Sequence, residues 1–202
     1  MKKIVLTLAC ILLATLFIAA MPMSGEEKLY DNVIRLHILA NSNSEEDQAL
    51  KLKVRDKILL EYSDTLAALQ SVDDARQDIS AMMDEILATA QNVVREEGYE
   101  YNLTISLGTE YYPQREYDEL HFPAGNYTSL QIVIGSGEGK NWWCVLFPPL
   151  CVATAYGDSV IADDSIPVGL TPEQYKIITK SDDVKYVVKF KVLEILEGIF
   201  EK

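Results

Sequence analysis

Tyr99 to Leu107 reads YEYNLTISL. Tyr99, Tyr101, Leu103, Ile105 and Leu107 fall on one side of an extended chain, and Glu100, Asn102, Thr104 and Ser106 on the other. An alternation this regular belongs to a strand with one buried and one wet face. It predicts antiparallel pairing, because parallel strands are covered on both faces. Downstream, Pro113-Gln114 marks a turn, Glu116 to Phe122 can return as a strand, and Pro123-Ala124-Gly125-Asn126 turns again. Ser129 to Ile134 then directs Leu130, Ile132 and Ile134 to the same interior.

Upstream lie two helices and one more strand. Ser71 is an N-cap, with Asp74 at the box position. Behind it Val72, Ala75, Ile79, Met82, Ile86, Ala90 and Val93 recur at helical spacing until Gly98. Glu46 to Tyr62 carries Leu50, Val54 and Ile58 on one stripe, and Ser44 caps it with Asp47 as the reciprocal partner. Val33 to Ala40, VIRLHILA, alternates, with Ile34, Leu36, Ile38 and Ala40 on one face and Arg35, His37, Leu39 and Asn41 on a mixed one. The expected fold is α+β: strand, two helices, then an antiparallel meander with the helices packed on one face.

The chain has 202 residues and ends in less regular sequence. Tyr156 to Gly169 is polar and turn-rich. Thr171-Pro172-Glu173-Gln174 starts a short helix to about Lys180. Val188, Val192, Ile195, Leu196 and Ile199 share one helical face, although Val187 to Val192 also suits a strand. At the other end, Met1-Lys2-Lys3 precedes an uncharged apolar run from Ile4 to Ala20, the outline of an export signal. Residues 1–24 are therefore a signal peptide or an uncleaved anchor, and 25–202 a single extracytoplasmic domain, large enough for its own core.

Lys and Arg total 18 against 31 Asp and Glu, a net charge of −13. Residues 1–24 hold two of the lysines and no acid, so the body is more acidic still. That opposes binding to nucleic acid and to anionic headgroups. Membrane contact is expected only through residues 1–24, if they are retained.

Gly139 to Cys151 reads GKNWWCVLFPPLC. Trp142, Trp143, Phe147, Pro148 and Pro149 make rigid apolar surface. Both tryptophans can be core, or one can be the anchor of an interface. Outside the cytoplasm thiols tend to pair. Cys144 and Cys151 would close a loop of about eight residues, worth roughly 2–3 kcal/mol; two buried thiols are the other reading. The spacing does not suit zinc, and the chain has two His, so no metal or other cofactor is expected. Gly135-Ser136-Gly137-Glu138-Gly139-Lys140 is one residue short of a phosphate loop, and Asn141 replaces its Ser or Thr. Its glycines are better read as a sharp turn. Lys51, Lys53, Arg55 and Lys57 form either a solvated face or a basic contact stripe. No nucleophile stands with a base at recognisable spacing, His37 and His121 read as structural, and no enzyme or small-molecule substrate is expected.

Ile34 to Leu59, IRLHILANSNSEEDQALKLKVRDKIL, and Phe122 to Cys151, FPAGNYTSLQIVIGSGEGKNWWCVLFPPLC, resemble the stage II sporulation protein R family of endospore-forming bacteria. One departure is Asn43, where Asp is expected. The resemblance implies an intercompartment signal, made in the forespore and exported into the space between the two sporangial membranes. There it would trigger a membrane-embedded aspartic protease of the mother cell, which removes the pro-sequence of pro-sigma-E. Residue type suggests the contacts: Trp142, Trp143, Phe147, Pro148 and Pro149 on the loop, Lys51, Lys53 and Arg55 on the stripe, and Arg35, His37 and Asn41 beside it. Two further readings are a structural protein anchored at the septum and an extracytoplasmic hydrolase using His37 or His121.

Overall fold

A computed structural model describes residues 2–20, 26–117, 120–150 and 166–179. Its elements are α1 (Lys2–Ala20), α2 (Glu26–Asp31), β1 (Ile34–Leu39), α3 (Glu45–Ala68), α4 (Val72–Glu96), β2 (Leu103–Tyr112), β3 (Arg115–Tyr117), β4 (Leu120–Phe122), β5 (Gly125–Ile134), β6 (Asn141–Phe147) and α5 (Pro172–Thr179). On α1, Ile4, Val5, Leu6 and Ile11 are exposed.

The main sheet has the order β2-β5-β1-β6. β2 pairs antiparallel with β5 and β6 antiparallel with β1, but β1 and β5 run parallel. The sheet is thus mixed, and the expected antiparallel meander is corrected. The α3–α4 excursion is long enough to return the chain to either side of β1 in either direction, so alternation in one strand cannot set the direction of another. The order also places β1 inside the sheet, with Ile34, Leu36 and Ile38 buried on one face and Arg35 and His37 on the other.

Two cores follow, one per face. Leu50, Val54 and Ile58 of α3 and Ala75, Ile79, Ile86 and Ala90 of α4 pack with Ile34, Leu36, Ile38, Leu130, Ile132 and Ile134. The opposite face is covered as well, which corrects the one-sided layering. There Leu29, Tyr112, Leu120, Phe122, Tyr127, Val145, Leu170 and Ile178 pack together. The chain expected to return as a single strand at Glu116 to Phe122 is instead the separate two-stranded sheet β3–β4.

Local signals hold at the helix ends. Ser44 Oγ accepts from the Asp47 N–H and Ser71 Oγ from the Asp74 N–H. Gly98, just beyond α4, takes φ +84°, which its missing Cβ permits. The strand expected from Tyr99 begins later, at Leu103. Gln91 of α4 holds the preceding backbone: its amide donates to the Tyr101 carbonyl and its side-chain oxygen accepts from the Leu103 N–H. The elements expected after Lys180 lie outside the described residues.

Candidate functional site

The second face of the sheet carries a polar centre walled by aromatic rings. Arg35, on the central strand, is fully buried. Its Nε donates to the Cys144 carbonyl at 3.2 Å and its Nη2 to the Tyr117 hydroxyl at 2.8 Å. The guanidinium carbon lies 4.4 Å from the Tyr112 ring centroid, 4.9 Å from Tyr127, 5.2 Å from Phe122 and 5.6 Å from Tyr117. Among the described residues, Nη1 of Arg35 has no hydrogen-bond partner.

His37 is two residues along the same strand and the same face. Its Nδ1 lies 2.6 Å from Glu110 Oε1 and its Nε2 2.9 Å from Asn141 Oδ1. The other Glu110 oxygen accepts from Ser129 Oγ at 2.9 Å, and Ser129 Oγ is 2.7 Å from the Tyr112 hydroxyl. Gln131 also donates to Glu110. Burial pushes the Tyr112 phenol well above its ordinary pKa, against a smaller opposing effect of the Ser129 hydrogen bond. Trp143 covers this network, 5.5 Å from His37 and 6.2 Å from Tyr112 by ring centroids. On Trp143, in turn, rests Arg115, its guanidinium carbon 3.9 Å from the ring centroid.

Arg35, His37 and Trp143 are therefore neighbours on the face away from α3, whereas Arg35, His37 and Asn41 were expected together beside the basic stripe of that helix. Asn41 stands elsewhere, in a lock between two loops. Its Oδ1 accepts from the Ser136 N–H, and its carbonyl accepts from Ser136 Oγ and the Glu138 N–H. Its amide donates to Asp47 at 2.9 Å, as does Ser42 Oγ at 2.6 Å. Burial pushes the Asp47 carboxyl up, but hydrogen bonds from Ser42, Asn41 and Tyr101 outweigh it and hold the group below its usual pKa. Lys51, also buried, ties the lock to α3 by donating to Gln48 and to the Lys140 carbonyl. Burial, then the Arg55 and Lys140 charges, lower its pKa.

The rest of the basic stripe is paired: Lys53 with Glu97, Arg55 with Asp56, and Lys57 with Glu61. Trp142 lies on the helical side of the sheet, under Arg55 at 5.0 Å. Phe147 and Pro148 are buried and Pro149 is half-buried. Cys144 is buried, and Cys151 lies outside the described residues. His121 faces Glu116 across the small hairpin at 3.4 Å.

Sequence reasoning missed Glu110, Tyr112, Arg115, Tyr117, Tyr127, Ser129 and Gln131. A signal existed for some of them. Extending the β2 alternation past Leu107 puts Glu110 and Tyr112 in phase with Thr104 and Ser106, and Ser129 and Gln131 alternate with Leu130 and Ile132.

Among the described residues, Ser129 and His37 do not bond to each other: Ser129 bonds to Tyr112 and Glu110, and His37 to Glu110 and Asn141. The class defined here is a mixed-sheet α+β protein with a buried arginine–histidine–aromatic centre. The family model described as stage II sporulation protein R matches residues 30–156, and the chain belongs to that family. Stage II sporulation protein R of Bacillus subtilis (strain 168) is 40% identical over 121 residues, 60% of this chain and 54% of that protein. The match thus spans about half the length of the curated relative. No solved structure matches.

Proposed function

We propose that this chain is an exported sporulation signal that activates, by binding, the membrane-embedded aspartic protease that processes pro-sigma-E. The observation that supports it is the family match over residues 30–156, which takes in both the polar centre and the NWWCVLF strand. Residues 1–24 serve as the export signal or as an anchor, and the domain acts outside the cytoplasm, between forespore and mother cell. The exposed apolar residues of α1 suit that role. Cys144 and Cys151 form a disulfide in that compartment; among the described residues the free cysteine is Cys10. The ligand must favour one state of the protease, since equal affinity for two states shifts neither.

The docking surface we favour is the outer side of Trp143, where Arg115 presents a cation on an aromatic ring at the margin of the hairpin. Aromatic and arginine side chains are the commonest energetic anchors of interfaces. The test is pro-sigma-E cleavage in cells making the precursor, the protease and this chain. Variants are Trp142→Ala, Trp143→Ala, Arg115→Ala, Lys53→Glu with Arg55→Glu, and Cys144→Ser with Cys151→Ser, each checked for soluble level and protease resistance. Loss of cleavage by folded Arg115→Ala is the expected result. Normal cleavage by every folded variant would overturn the surface, and cleavage independent of this chain would overturn the function.

A further inference from the structure

The carboxylates around this centre are already engaged, Glu110 with His37 and Glu116 with His121. The chain has an excess of acids, yet among the described residues no ion pair involves Arg35 or Arg115. Each has one buried nitrogen without a hydrogen-bond partner, Nη1 of Arg35 and Nε of Arg115. Both lie close enough to Tyr117 for their charges to favour its ionised form. Burial outweighs them and holds that phenol above its ordinary pKa, so it keeps its proton at neutral pH. Its oxygen already accepts from Arg35, leaving the proton as a further donor. Two cationic donors, Nη1 of Arg35 and Nε of Arg115, and the neutral Tyr117 hydroxyl thus have no acceptor among the described residues.

A buried cation without a counter-charge costs several kcal/mol, and an unmade buried hydrogen bond about 1–3 kcal/mol more. The aromatic rings around Arg35 offset part of the first cost, at about 0.5–2 kcal/mol each. They supply no acceptor for Nη1. A partner that answers both nitrogens and both charges is an anion with at least two oxygens. Carboxylates match guanidinium groups in plane and charge, and they carry less hydration to lose against aromatic walls than a doubly charged phosphate.

We infer that Arg35, Arg115 and Tyr117 form a carboxylate-binding site beneath the β3–β4 hairpin. Arg115 and Tyr117 are half-buried and share one face of β3, and Arg35, fully buried, donates to the Tyr117 hydroxyl. The carboxylate is either a free small acid or an acidic side chain of a protein. The site does not depend on the signalling role, and its failure would leave that role untouched.

The test uses the full chain in a mild neutral detergent, with arginine Nε–H resonances followed by nitrogen-15 NMR. Sodium acetate and the peptide acetyl-Gly-Glu-Gly-amide are titrated separately, against sodium chloride at equal ionic strength. The expected result is a saturable shift of the Arg35 and Arg115 signals with a carboxylate and none with chloride. Arg115→Gln, which removes the guanidinium charge, and Tyr117→Phe, which removes the hydroxyl donor, are each expected to weaken binding at least about ten-fold, as the loss of one charge-assisted hydrogen bond does. Tighter saturation by the peptide assigns the ligand to an acidic side chain; equal or tighter saturation by acetate assigns it to a free acid. Shifts that do not saturate, or that chloride reproduces, overturn the proposal and leave Arg35 held by its aromatic rings alone.

Discussion

The carboxylate of Glu110 meets the imidazole of His37 at 2.6 Å although β5 runs between their strands. Glu110 belongs to the edge strand β2 and His37 to β1. Their side chains close over Ser129 and Gln131 of β5, both of which bond to Glu110. Through Asn141 the same imidazole reaches β6. One histidine thus joins polar groups from all four strands on a face that the helices α3 and α4 do not cover.

Replacing His37 should therefore cost more than its own contacts. His37→Leu leaves the Glu110 carboxylate facing an apolar side chain and removes the partner of Asn141. About 2–3 kcal/mol of stability is expected to go, the usual cost of a stranded buried polar group. Urea unfolding followed by tryptophan fluorescence would measure it, and His37→Gln should recover part of the loss.

The two tryptophans should separate in a double-mutant cycle. Trp143 packs on His37, Tyr112 and Arg115, whereas Trp142 packs under Arg55 on the helical face. Trp143→Ala combined with Arg115→Ala is expected to show a coupling of about 0.5–1 kcal/mol. Trp142→Ala combined with Arg115→Ala should be additive, because the sheet stands between them.

Gly139 should not tolerate a side chain. A Cβ there would collide with the Ser42 carbonyl oxygen and lie 2.8 Å from that of Ala40. Both are backbone atoms, and the Gly139 N–H already donates to the Ala40 carbonyl. Gly139→Ala is expected to lose at least about 2 kcal/mol, since the loops must part to admit one methyl group. Gly108, with open space around it, is the control: Gly108→Ala should stay within about 0.5 kcal/mol. Thermal unfolding of both variants would decide.

Stability should fall on the alkaline side. The phenols of Tyr112 and Tyr117 both titrate above their ordinary value of 10.0, chiefly because they are buried. A raised folded pKa means that the unfolded chain loses its proton first. The contribution is therefore complete below about pH 10 and is lost as pH rises beyond it. Tyr112→Phe should flatten that decline while lowering stability at neutral pH through the lost Ser129 bond. Denaturant midpoints between pH 8 and pH 11 would test both signs.

Asp47 should act in the opposite direction. Its pKa is depressed below 3.8, so its contribution is present at neutral pH and lost as acid protonates the folded state. Asp47→Asn is expected to destabilise the neutral protein by about 1–2 kcal/mol and to weaken the dependence on pH below 4. Acid unfolding followed by circular dichroism would show it.

Much of this protein could be read along the chain. Ser44, Ser71 and Gly98 mark helix boundaries because capping needs only residues within one turn of each other. The apolar stripes of α3 and α4 and the alternation of VIRLHILA are equally local, since period alone decides which side chains share a face. The resemblance of two segments to the sporulation family was likewise in the residue order. What only the tertiary structure decided was the pairing: β5 parallel to β1, β6 on its other side, and an edge-strand Glu110 carried across a strand to His37. Strand direction depends on how a long connection closes, and no window of neighbouring residues contains that. For the same reason the sequence places Arg35 only on the mixed face of its strand. It lies among aromatic rings from β2, β3, β4 and β5, gathered only once the hairpin folds over the sheet.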